Sequence, residues 1–64
     1  MGEAEFWAKM TQHFGEIYAR AWAEMTCITQ LNSRTVLEAL ADGVPCKTIW
    51  RAVCEFCELP ASKR

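Results

Sequence analysis

The chain is poor in the residues that carry out chemistry. It has one histidine, no serine–histidine pairing and only three scattered glycines, so neither a nucleophile–base pair nor a phosphate-cradling loop can be assembled from local sequence. Its carboxylates read as solvated helix faces, and so small a chain leaves little room for a ligand pocket. An enzyme is therefore not expected, nor a cofactor or a small-molecule substrate.

Long hydrophobic runs are missing too. No stretch approaches the roughly 20 apolar residues that span a bilayer, and no secretory pattern is visible. Met1-Gly2 invites an N-myristoylation reading, but Phe6 stands where that motif wants Ser or Thr. A cytoplasmic protein with no membrane association is the expectation. Charge of one sign is not in excess either: seven Lys and Arg against eight Asp and Glu give a net charge of −1. No long-range field then favours nucleic acid, and the basic residues are scattered.

What is present is hydrophobic. Apolar residues make up 52% of 64 positions, three of them tryptophan, which excludes disorder. A chain of this length is one domain, spanning residues 1–64, with net stability of roughly 3–5 kcal/mol.

The periodicity is helical throughout, with no strand pattern or repeat. Phe6, Trp7, Met10 and Phe14 form a stripe on a helix over about 4–14, with Lys9 and Gln12 on its other side. Gly15 stops that helix, and His13 reads as a residue of its last turn. A second helix over about 16–28 would turn Ile17, Tyr18, Ala21, Trp22, Met25 and Ile28 inward, leaving Ala19, Arg20, Ala23 and Glu24 on the surface. Leu31 is expected to tuck beneath the following loop. Thr35 and Glu38 form a capping box that opens a third helix over about 35–42, with Val36, Leu37 and Leu40 inward. After Gly43, Pro45 at the first helical position starts a fourth helix over about 45–58. Its inward stripe is Ile49, Trp50, Val53, Cys54 and Cys57, and Arg51 and Glu55 are spaced to pair. Leu59-Pro60 ends it, and the last four residues are expected to fray. The fold expected is all-α, a compact bundle of four short helices whose last two form a corner like a helix-turn-helix.

Several of these residues, taken together, resemble a small actinobacterial family classed as a domain of unknown function. The resemblance rests on Phe6-Trp7 with Met10, His13-Phe14-Gly15, Tyr18-Ala19 with Trp22-Ala23, and Arg34-Thr35-Val36. Glu38-Ala39-Leu40, Gly43-Val44, Trp50 through Glu55 and Leu59-Pro60 extend it over nearly the whole chain. It implies a short, helical, cytoplasmic protein whose gene often neighbours those of the recombinase and its regulator. No catalytic residue comes with it. Cys27, Cys46 and Cys57 depart from the family's usual residues.

Three constellations remain. Cys54 and Cys57 make a C-x-x-C, the spacing of zinc sites and redox dithiols. Further ligands would have to come from Cys27, Cys46 or His13, none at a characteristic spacing. The motif also lies near a helix C-terminus, where thiolates are disfavoured. Reduced, packing cysteines are expected, with Cys27 and Cys54 inward, and no metal; a zinc-stabilised domain is one alternative. Ala39, Gly43 and Ile49 fit a steep helix crossing, which would present Lys47, Thr48 and Arg51 to DNA. Glu55 and Glu58 on that same helix would repel phosphates, so a DNA-binding helix-turn-helix module is a second alternative. Lastly, Phe6, Trp7, Tyr18, Trp22, Trp50 and Phe56 are more aromatics than a small core can hide. Phe6 with Trp7, and Tyr18 with Ile17, are neighbours that cannot both point inward. Phe6, Trp7, Tyr18 and Phe56 are accordingly the candidate partner-binding residues. The favoured reading is a non-enzymatic adaptor or regulator that binds a protein or a second copy of itself, with a link to DNA recombination or repair.

Overall fold

The computed structural model describes all residues, 1–64, as four α-helices and two single-turn 3-10 segments, with no strand. α1 (Glu3–Phe14) and α2 (Glu16–Met25) are separated by Gly15 alone. Gly15 sits at φ 86°, ψ 157°, a conformation open essentially to glycine, and this lets the chain reverse without a loop. Its N–H closes α1 on the Thr11 carbonyl, and its own carbonyl accepts from Ala19 in α2.

α2 ends earlier than the sequence suggests. Thr26 already has extended backbone, and Ile28 pairs with Arg34 in an isolated antiparallel bridge around the 3-10 turn Thr29–Leu31. Asn32 and Ser33 both take positive φ at the tip of that turn. Leu31 is buried beneath it, as expected. Arg34 ties the turn to the next helix, donating from Nε to the Leu31 carbonyl and pairing with Asp42 at 2.9 Å.

α3 (Val36–Ala41) opens on the expected capping box. The Glu38 N–H donates to Thr35 Oγ1 at 3.1 Å, and the Thr35 N–H donates to Glu38 Oε1 at 2.8 Å. Gly43, at φ 82°, turns the chain into α4 (Cys46–Phe56). Pro45 stands one position earlier than expected, as the N-cap and not the first helical residue.

The core collects Phe6 and Met10 of α1, Ala19, Trp22 and Ala23 of α2, Ile28, Leu31, Val36 and Ala39, and Ile49 through Cys54 of α4 except Arg51. Trp7, Phe14, Leu37, Leu40 and Cys57 pack against it half-buried. The face of α2 is thus a correction. Ala19 and Ala23, read as surface, are buried, whereas Ile17, Tyr18 and Met25, read as core, are exposed. Two alanines four residues apart let the α2 backbone approach its neighbours closely, and Trp22 between them supplies the bulk.

The C-terminus is a second correction. Residues read as fraying form the turn Ala61–Lys63, which folds back over α1 and α4. Trp50 Nε1 and Lys9 Nζ both donate to the Arg64 carbonyl at 3.1 Å, and His13 Nε2 donates to the Lys63 carbonyl at 2.8 Å. Glu58 at φ 55° and the Leu59 N–H bonded to the Cys54 carbonyl turn the chain in that direction.

Candidate functional site

The four nominated aromatics do not form one surface. Phe6 is fully buried, with its ring edge-on to Trp7 at 5.4 Å and to Trp50 at 6.2 Å. It belongs to the core and cannot meet a partner: of two adjacent aromatics on a helix one turns inward, and here that one is Phe6. Trp7 is half-buried, its ring covered by the Arg20 guanidinium at 5.1 Å. Arg20 reaches back from α2 to make that cation–π contact, so Trp7 lies under a side chain of its own molecule.

Tyr18 and Phe56 do reach the surface, and a file of rings joins them. Tyr18 lies 6.3 Å from Phe14, Phe14 stacks on Trp22 at 4.5 Å, and Trp22 meets Phe56 at 6.3 Å. Ile17 and Met25 extend this apolar region along α2. Exposures of 90% for Ile17, 68% for Met25, 54% for Tyr18 and 38% for Phe56 are high for large apolar side chains. Ile17 and Met25 were missed because their spacing with Ala21 matches an inward stripe.

The cysteines are free thiols. Cys54 is buried, Cys57 and Cys46 are half-buried, and Cys27 is exposed rather than inward. Burial raises the Cys54 thiol above its ordinary value, with Arg64 and Lys9 pulling it down more weakly. Burial also raises Cys57, and neighbouring Cys54 adds to the rise. Both are therefore held protonated at neutral pH, the reverse of what a redox nucleophile needs. No three Cys, His, Asp or Glu side chains come together as a metal-binding group.

Lys47, Thr48 and Arg51 all project from α4 into solvent. The expected Arg51–Glu55 pair does not form; Arg34–Asp42 is the one ion pair in the molecule. Lys47 and Arg51 instead border a cavity of about 220 Å³, with Trp50, Cys54, Met1 and Arg64 completing its wall. The docked C-terminal turn creates this cavity, and Arg64 is a lining residue that sequence spacing gives no hint of.

Residues 1–62 match the family described as protein of unknown function (DUF3046). The chain belongs to that family. The match covers all four helices and the exposed apolar residues of α2 and α4, and it stops short of Arg64 in the cavity wall. No curated protein and no solved structure matches the chain, so this DUF3046 chain takes its functional reading from its own surfaces.

Proposed function

We propose that this DUF3046 chain is a non-enzymatic protein-binding module that receives an amphipathic helix of a partner on the face formed by Ile17, Tyr18, Met25 and Phe56. The observation that carries the reading is the exposure of these four large side chains on a file of stacked rings that reaches into the core. Tyr18 and Phe56 are each held against a neighbouring ring, so less side-chain entropy is lost when these two are covered. Tyrosine and other aromatics also supply much of the energy at protein interfaces.

The rim defines the partner's chemistry. Glu16 and Glu24 of α2, Glu55 of α4 and Glu58 just beyond it are all exposed on or beside the two helices that carry the face. Arg20, the one cation on α2, is drawn away onto Trp7. A helix with an apolar face and flanking Lys or Arg complements this rim. A second copy of the chain does not, because a two-fold axis would set acidic rim against acidic rim. The family resemblance implies a gene neighbourhood with a recombinase and its regulator, which makes recombination and repair proteins the first partners to test.

The test is titration of the purified recombinase and its regulator into the fluorescently labelled protein, repeated with Tyr18→Ser and Phe56→Ser. Binding that weakens about tenfold or more in each variant supports the reading, as loss of a hot-spot side chain of at least ~1.4 kcal/mol would give. Binding that both substitutions leave unchanged would remove the face from consideration. A concentration-dependent dimer that Ile17→Ser dissociates, seen by sedimentation, would replace the partner with self-association.

A further inference from the structure

We propose that the cavity between α4 and the two chain ends is a second docking site, one that takes an acidic peptide segment. Its residues are distinct from those of the apolar face. Phe56 lies nine residues beyond Lys47 on α4, about 2.5 turns, so the two project from opposite flanks of the helix.

The charge around the cavity is uncompensated. Lys47, Arg51 and Arg64 all line it, and no carboxylate lies within 4.0 Å of any of them. Lys47 and Arg51 have no hydrogen-bond partner in the fold, while Arg64 uses only Nε, on the Leu59 carbonyl. Their remaining donors are free for carboxylates, which guanidinium binds in bidentate fashion. Lys9, packed over Trp50 at 5.9 Å, is already engaged, donating to the Arg64 main-chain oxygen, and lies outside the cavity wall. The wall between the cations is apolar, built from Trp50, Cys54 and Met1. A site with basic edges and an apolar floor fits an apolar side chain flanked by acidic ones.

Size and shape separate this from other anions. About 220 Å³ is smaller than the roughly 300–1,000 Å³ of sites that engulf a free organic ligand. It matches instead a side chain or two of a longer segment lying across the surface. A nucleic-acid strand fits worse. Trp50 is only 5% exposed, so its face is not free to stack on a base. Of the other basic residues, Arg20 and Arg34 are occupied by Trp7 and Asp42, which leaves Lys63 of the C-terminal turn as the one exposed cation beyond those already named.

The experiment follows tryptophan fluorescence, which Trp50 in the cavity wall reports, during titration with an end-blocked peptide Asp-Glu-Asp-Leu-Glu-Asp at low salt. Saturable binding is expected. It should weaken about tenfold or more in Lys47→Ala/Arg51→Ala, equivalent to ~1.4 kcal/mol, and disappear in Lys47→Glu/Arg51→Glu. A scrambled-charge control with Lys in place of the acidic residues should not bind. Both substituted residues are solvent-exposed, and circular dichroism verifies that the variants are folded. Failure of the peptide to saturate, or equal affinity in the alanine double variant, would overturn the site. So would tighter, Lys47- and Arg51-dependent binding of an oligonucleotide, which would make the cavity a phosphate site. Tyr18→Ser should bind the peptide like the parent chain, so this outcome and that for the apolar face are read independently.

Discussion

Replacing Phe6 by leucine should cost far more stability than replacing Tyr18 by leucine, although both are aromatic and both lie on α1–α2. Phe6 is fully buried and its ring meets Trp7 edge-on at 76° and Trp50 at 84°. Aromatic pairs of this geometry contribute about 0.5–1.5 kcal/mol each beyond the area they bury. Leucine keeps most of the volume and loses both pairs, a cost of about 1–3 kcal/mol. A domain of this size has roughly 3–5 kcal/mol in total. The midpoint of thermal unfolding should therefore fall by at least ~4–8 °C, the shift that 1 kcal/mol produces in a domain of 60–100 residues. Tyr18 is half exposed and makes one tilted contact, with Phe14, so its substitution should stay within about 0.5 kcal/mol. Urea and thermal unfolding followed by far-ultraviolet circular dichroism would measure both. Equal losses, or a larger loss at Tyr18, would refute the division of these aromatics into core and surface.

Two further outcomes follow from the fold. Thr35→Ala removes the hydroxyl that accepts the Glu38 N–H at the start of the six-residue α3, and should cost about 1–2 kcal/mol in urea unfolding, while Thr35→Ser should restore most of it. Cys54 and Cys57 are raised above the ordinary thiol value by burial, so at alkaline pH the unfolded chain loses these protons before the folded one does. Their contribution is fully present below the unfolded value of about 8.5 and is lost as pH rises through the folded values, so the urea midpoint should decline above about pH 8.5. Replacing both by alanine should flatten that decline.

Much of this architecture was legible because local signals agreed with the global fold. The Thr35–Glu38 box, Gly15 and Gly43 at positive φ, and the Phe6–Met10 spacing each point to the element that forms. α2 was misread because hydropathy favours its bulky stripe, Ile17, Tyr18, Ala21 and Met25. The fold instead uses the small stripe, where Ala19 and Ala23 admit close backbone approach, and a single sequence does not show how near the neighbouring helix comes. The extent of α2 was misread for a related reason: Thr26 and Ile28 leave the helix for a bridge to Arg34, a pairing across a turn that no local period announces. The surfaces divide in the same way. Tyr18 was identifiable because it and Ile17 are neighbours that cannot both point inward, and Phe56 because it is an aromatic off the main stripe of its helix, whereas the cavity depends on Arg64 returning to Lys47 and Arg51. That return is set by hydrogen bonds from Trp50, Lys9 and His13 to the carbonyls of Lys63 and Arg64.

Met1 and Arg64 stand in the wall of the same cavity, so the backbone describes a nearly closed circuit. A short glycine-rich bridge could join the two, with new ends opened at the exposed Asp42–Gly43 turn, and the helix order would permute without moving a core residue. The same closure governs how the molecule is handled. An affinity tag or fluorophore attached at either end emerges beside Lys47 and Arg51, whereas a label on exposed Cys27 avoids the termini altogether.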